Sequence, residues 1–427
     1  MQMNRNTAPD SKRLPDWLAW LEMLSPHEID LGLERVRKIL DRLALARPRR
    51  VIHVAGTNGK GSTVAMLEQL YAARNEAVAC YTSPHVVRYN ERVRVRGRML
   101  SDAQIVASLR RVEEVRGDVP LTYFEFGTLA AFVAFAASDA GVWVLEIGLG
   151  GRLDAVNALD PDGAIITNIS LDHCDWLGPD TESIAREKAG VMRAAIPVVY
   201  AAPDPPAAIL DVADSQGARL LVAGRDYHVC RTDTGWSYSD ATHSFTKLCM
   251  PSLRGRFQMY NAAGALTLFM ALDEAPAPSA VDRAFGSLQI MGRMQRIDTK
   301  RHWLLDVAHN PRAAEVLADT LREDYPGRRF IFVLGILADK DMPGILKALL
   351  PLADAWVAVT PHSARALPAS RLAAHIAASS GRPCRIAASV AEGLEIAEEI
   401  SSGGELLVVS GSFFTVGPAI EVLVTAD

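Results

Sequence analysis

Residues 51–63 read Val51-Ile52-His53-Val54-Ala55-Gly56-Thr57-Asn58-Gly59-Lys60-Gly61-Ser62-Thr63. An apolar run enters a glycine-rich turn with one lysine and two hydroxyls, and a helical pattern follows over 64–74. A strand, a tight loop and a helix start in that order form an anion cradle. The backbone N–H groups can face phosphate oxygens, and the helix N-terminus adds partial positive charge. Lys60 can neutralise β- and γ-phosphates, and Ser62 or Thr63 can reach a magnesium ion. The loop departs from the common G-x-x-x-x-G-K-[ST] pattern. Val54 stands at the first glycine, and Gly61 separates Lys60 from Ser62.

A chain of 427 residues is long enough for two or three domains. Short apolar runs at 51–55, 77–81, 142–147, 164–169 and 197–201 alternate with helical patterns, as in a parallel sheet covered on both faces. Residues 219–250 change to short alternating segments and predict a small antiparallel patch. Helical patterns return at 261–272 and 281–288. A second series has strands at 302–307, 330–334, 356–359 and 406–410, with helices over 313–324, 342–350, 369–378 and 390–400. The expected fold is α/β: a nucleotide-binding domain over 1–290 with a mostly parallel sheet, a linker over 291–300, and a smaller Rossmann-like domain over 301–427. The apolar stretch 128–150 carries Asp139 and Glu146 and breaks at Gly141, so it predicts a buried helix and strand, not a membrane span.

The charge balance, 45 basic against 50 acidic residues, argues against a nucleic-acid or membrane-surface protein. Five scattered cysteines without C-x-x-C spacing, and a polar first segment without an apolar signal core, predict a cytoplasmic protein.

Ligands of open α/β sheets bind beyond the carboxyl ends of the strands. Glu146 ends one apolar run there, which makes it a candidate magnesium ligand, with a helix-capping or salt-bridged acid as the alternative. His173, in Asp172-His173-Cys174-Asp175, follows the next strand and reads evenly as ligand or structural residue. Magnesium prefers oxygen, so a histidine also raises manganese as a candidate. Lys188 lies in a strongly helical segment and reads locally as a solvated lysine. In Asp306-Val307-Ala308-His309-Asn310-Pro311, capping explains Asn310 and Pro311 but leaves Asp306 and His309 as site candidates. Residues 335–341 and 410–414 end two further strands, as cleft lining or as plain turns.

Four of these segments together, His53 to Ser62, Thr82-Ser83-Pro84-His85, Leu145 to Asp154 and Asp306 to Pro311, resemble the Mur-ligase superfamily. Within it the likeness is to the bacterial folylpolyglutamate synthases that also act as dihydrofolate synthases, and it runs over nearly the whole chain. The resemblance implies an ATP-dependent, ADP-forming amide ligase that adds L-glutamate to 7,8-dihydropteroate and to reduced folates through an acyl phosphate. It implies magnesium at two sites, held by Ser62, Ser83, Glu146, His173 and Lys188, the last as a carbamate. ATP contacts would come from Thr57, Asn58, Gly59, Lys60, Gly61, Ser62, Asn261, Arg293 and Asp306. Lys60, Lys188, Asp306 and His309 would serve catalysis. Asp30, Leu31, Gly32, Leu33, Thr122, Tyr123, Phe124, Glu125, Leu153, Asp154 and Ala155 would contact the pterin substrate. The family also implies a monomer. Met291-Gly292-Arg293-Met294-Gln295 stands where the family usually has Pro-Gly-Arg-Phe; the proline is missing and the arginine kept. A peptidoglycan ligase acting on a UDP-sugar peptide shares the chemistry, but about fifty residues before the phosphate loop leave little room for a UDP-binding domain.

Overall fold

The computed structural model describes residues 8–24 and 30–425. Eight strands form the first sheet: β1 (Arg50–Ala55), β2 (Val78–Tyr81), β3 (Val93–Val95), β4 (Arg98–Met99), β5 (Val142–Glu146), β6 (Gly163–Ile166), β7 (Pro197–Tyr200) and β8 (Arg219–Val222). Their spatial order is β4-β3-β2-β5-β1-β6-β7-β8, parallel from β2 to β8 and closed at one edge by the antiparallel β3 and β4. The central strands are buried over nearly their whole length, as continuous apolar runs require when helices cover both faces. β1 runs between β5 and β6, with Val54 opposite Glu146 and Ala55 opposite Ile166. The phosphate loop, Glu146 and residues 167–173 therefore leave the sheet side by side.

The helix after the loop, Lys60–Ala72, begins four residues before its apolar pattern. It packs against the helix Arg256–Leu272, with the Tyr71 and Phe269 ring centroids 4.8 Å apart. The expected antiparallel patch is a three-stranded sheet of β9 (Tyr227–Thr232), β10 (Gly235–Asp240) and β11 (Ser244–Leu248). Its buried Tyr238 bonds Thr267 of the same helix at 3.0 Å.

The second sheet holds β12 (Gln295–Asp298), β13 (His302–Asp306), β14 (Phe330–Leu334), β15 (Ala353–Val359), β16 (Cys384–Ala387) and β17 (Leu406–Ser410), in the order β12-β13-β17-β14-β15-β16. All pairs are parallel except β12–β13. The expected linker 291–300 is thus only half a connector, because Gln295–Asp298 pairs antiparallel with β13 as an edge strand. β16 and the last helix, Phe413–Thr425, lie outside the expected elements. Asp306, Leu334 and Ser410 are in register at the carboxyl edge. This edge and that of the first sheet supply the two walls of one cleft.

Candidate active site

The cleft has a volume of about 1050 Å³. One wall carries Thr57 to Ser62, Ser83, Glu146, His173 and Lys188, and the other carries Arg293, Asp306 and His309. Asn261 lies against the phosphate loop, where a Cβ at Gly59 would meet its side-chain nitrogen at 2.6 Å. Every residue expected to bind ATP or metal therefore borders one space.

The loop is held from below. Thr167 Oγ1 and Asn168 Nδ2 donate to the Asn58 carbonyl at 2.7 and 2.8 Å, and Asn58 N–H donates to Asn168 Oδ1 at 3.2 Å. Lys60 Nζ folds back onto the Gly56 and Thr57 carbonyls at 3.2 and 3.3 Å, contacts long enough to be exchanged for phosphate oxygens. Gln258 donates to Ser62 Oγ at 3.3 Å and accepts from Asn261 at 3.1 Å. Gln258 lies outside the expected helix 261–272, because the helix starts at Arg256.

Lys188 overturns the solvated-lysine expectation. It is 5% exposed, and Nζ donates to the Gly56 carbonyl at 2.9 Å beneath the loop. Burial, helped by the neighbouring Lys60 charge, lowers its pKa to about 7. At neutral pH a large fraction of this amine is uncharged and nucleophilic.

Burial pushes the Glu146 carboxyl up, against the opposing pull of Lys60 and of the Ser83 N–H, which donates to Oε2 at 3.2 Å. His173 and His309 are both brought down to about 4 by burial, so each ring is neutral at physiological pH. His309 Nδ1 lies 2.8 Å from the Val307 carbonyl, which places the proton on Nδ1 of the neutral ring. Asp306 accepts from the Met294 and Ala308 N–H groups at 3.0 and 2.9 Å. Its carboxyl is raised by burial, and Arg293 opposes that shift. The Arg293 guanidinium lies over the Phe413 ring at 5.4 Å. Burial lowers its pKa, and an incoming polyanion would relieve that strain on its charge.

Among the described residues no group of three or more His, Cys, Asp and Glu side chains could hold a metal ion. Glu146 and His173 need other donors to complete a shell. The Ser62 and Ser83 oxygens and nucleotide phosphates are of the hard-oxygen kind that magnesium and manganese take. A carboxylated Lys188 would add another, so the residues present fit a divalent cation bound together with a nucleotide.

The segments expected to contact the pterin are absent from the cleft lining. They nevertheless meet beside it. Arg35 bridges Asp30 at 2.7 Å and Glu125 at 2.9 Å. Phe124 packs on Gly148, where a Cβ would stand 2.5 Å from the ring. Asp154 accepts from Leu149 N–H at 2.8 Å, and burial raises its pKa to about 6. Glu125 and Thr122 form a helix capping box, and Asp154 caps a short helical turn. Local architecture thus accounts for three of these polar side chains before any ligand is invoked.

Asn310 does more than cap. Its Oδ1 accepts from Ala313 N–H at 2.8 Å, while Nδ2 donates across the cleft to Asn58 at 3.1 Å and to Asp172 at 2.9 Å.

Comparisons with known proteins place the chain in a family. Residues 54–269 match the Mur ligase middle domain, and residues 292–413 match the Mur ligase glutamate ligase domain. The chain is 40% identical to the dihydrofolate synthase/folylpolyglutamate synthase of Escherichia coli K12, over 98% of this chain and 97% of that protein. It is 34% identical to the protein of that name from Haemophilus influenzae, over 97% and 98%. Among solved structures, E. coli FolC in complex with DHPP and ADP is similar with a TM-score of 0.92, at 39% identity over the full length of both chains. A bifunctional folylpolyglutamate synthase/dihydrofolate synthase with Mn, AMPPNP and L-glutamate bound is similar with a TM-score of 0.89, at 37% identity over 99% of this chain and 100% of that one.

Proposed function

The chain belongs to the dihydrofolate synthase/folylpolyglutamate synthase family of Mur ligases, and from that premise we propose how its cleft carries out the ligation. The enzyme is an ATP-dependent ligase that joins glutamate to folate-type acids. One observation carries the reading of its site. The lysine loop ends a strand of one parallel sheet and Asp306 ends a strand of the other, and both open into one cleft.

A carboxylate resists attack by an amine because its carbon is electron-rich and oxide is a poor leaving group. Transfer of the γ-phosphoryl group of ATP to the acceptor carboxylate gives an acyl phosphate and ADP. The glutamate amine then attacks the carbonyl, and phosphate leaves from the tetrahedral intermediate. The protein supplies position and charge. Lys60 exchanges its carbonyl contacts for β- and γ-oxygens. Asn261, Arg293 and Asp306 hold the nucleotide, and neutral His309 faces the reacting groups from the second lobe. Docking of the two walls keeps water from the acyl phosphate.

A divalent cation with the nucleotide is part of the activity, and we assign magnesium at two positions. Ser62, Ser83, Glu146, His173 and carboxylated Lys188 would hold it, and it supplies charge neutralisation at the phosphates. The Lys188 assignment is supported by burial, which brings its amine down to about 7 and frees part of it from its proton at neutral pH. The neutral nitrogen forms a bond to CO2 and loses one proton, leaving a carbamate anion. Dihydropteroate and reduced folates would lie along Asp30 to Leu33, Thr122 to Glu125 and Leu153 to Ala155. A monomer suffices, since one chain supplies both walls. Five cysteines free of disulfides suit the cytoplasm. No helix among the described residues is long and apolar enough to cross a membrane.

ADP release measured with glutamate plus dihydropteroate, then with glutamate plus a reduced folate, tests both acceptor assignments. Oxygen-18 in the acceptor carboxylate should appear in the released phosphate; phosphate free of the isotope overturns the acyl-phosphate route. Lys188→Ala is expected to lose about 100-fold in kcat, with part of the loss recovered by added short carboxylic acids. An unchanged kcat would return Lys188 to a purely structural role.

A further inference from the structure

The two lobes meet at a buried polar cluster that phosphate binding does not explain. Asp172, on the turn after β6, accepts from Lys340 Nζ at 2.8 Å through Oδ1 and from Asn310 Nδ2 at 2.9 Å through Oδ2. The Asp172 and Lys340 side chains are 8% and 6% exposed. Asn310 shares its remaining donor and its acceptor with Asn58 of the phosphate loop, at 3.1 and 3.4 Å. His309 Nε2 stands 3.7 Å from Asp172 Oδ2, beyond hydrogen-bond reach. Lys340 and Asp172 form a buried ion pair across the lobes.

A buried ion pair adds little net stability over an apolar contact, because desolvation offsets most of the attraction. What it does supply is register. A small slip between the lobes would leave Asp172 with only the His173 N–H at 2.9 Å, Lys340 with only the more distant Asp339 at 3.7 Å, and the Asn310 amide nitrogen without its acceptors, a penalty that an apolar contact would not impose. Asp172 adjoins His173 on one lobe. Lys340 belongs to the β14 turn, and Asn310 starts the helix beside His309 on the other. We propose that Asp172, Lys340 and Asn310 are positioning residues that set the docking register of the second lobe on the phosphate loop, and so align Asp306 and His309 with the bound nucleotide. This deepens the ligation reading and rests on it.

Five variants of the full chain test it: Lys340→Met, Asn310→Ser, Lys340→Arg, Asp172→Asn and the double variant Lys340→Met with Asp172→Asn. Lys340→Met keeps the length of the stem and removes the charge. Asn310→Ser keeps a good helix cap but is too short to reach Asp172 or Asn58. Both should lower kcat for glutamate-dependent ADP release at least about 10-fold, while KM for ATP moves less than about 3-fold. Lys340→Arg should recover part of the loss. Combining Lys340→Met with Asp172→Asn should cost less than the product of the single effects, because both break one contact. A capping role alone predicts normal kcat for Asn310→Ser. Unchanged kcat in both Lys340→Met and Asn310→Ser, or strictly multiplicative effects in the double variant, overturns the proposal. An unmodified chain that releases no ADP with glutamate would instead sink the ligation reading beneath it.

Discussion

Lys60→Ala is expected to lower kcat for glutamate-dependent ADP release by about 10³-fold, the loss associated with removing one charge-stabilising donor from a preorganised site. The fold should survive. Lys60 is half-buried, makes only two long contacts to carbonyls of its own loop, and stands at the first position of a helix where alanine is well tolerated. The thermal midpoint should therefore move by less than about 3 °C. A second consequence follows from charge. Lys60 is one of the groups that lower the Lys188 pKa, so its removal should raise that pKa and reduce the fraction of free amine available for carboxylation. The loss should be larger in kcat than in KM for ATP, since the loop backbone still presents its N–H groups to the nucleotide. ADP release within 10-fold of the parent, with the midpoint unmoved, would remove Lys60 from the phosphoryl-transfer step.

The parts of this molecule legible in its sequence are those with local causes. Apolar runs such as β1 and β5 declare themselves because both faces are buried, and their ends locate Glu146, His173 and Asp306 at the rims. β12 and β16 escaped notice because they are edge strands: Gln295–Asp298 is a polar segment, and Arg385 and Ile386 are exposed, so neither carries a continuous apolar run. The last helix begins inside a stretch that reads equally as cleft lining or as a plain turn, and it contains Pro418. Lys188 could not be placed locally. Its helix looks solvated, and only the loop folding over it from 132 residues away makes it buried. Asp172 and Lys340 are 168 residues apart. Asn310 was hidden by a sufficient local explanation, since an N-cap needs only one of its two polar atoms.

Gly417→Ala is expected to lower kcat about 100-fold without contacting any substrate, the scale associated with a 1 Å misplacement of catalytic groups. Gly417 lies in the helix Phe413–Thr425, and a Cβ there would stand 2.1 Å from the Val86 carbonyl oxygen. The loop at Val86 has little freedom to yield. The Glu91 carboxylate accepts the Val86, Val87 and Arg88 N–H groups at 2.7, 2.8 and 2.6 Å. Arg94 ties the Glu91 carbonyl and Thr82 to the same framework at 3.2 and 3.4 Å. An added methyl must therefore displace either the helix or the whole segment 83–88. The first moves Ser412 and Phe413 away from Arg293; the second moves Ser83, whose N–H holds Glu146. Either way the two walls lose alignment, while the cores of both sheets stay intact. Circular dichroism should be unchanged, and kcat should fall with KM for ATP nearly constant. Serine at 417 should be as damaging as alanine, because the clash begins at Cβ and not at the side-chain end. An alanine variant with parental kcat would mean that the loop–helix contact is loose in solution and carries no catalytic alignment.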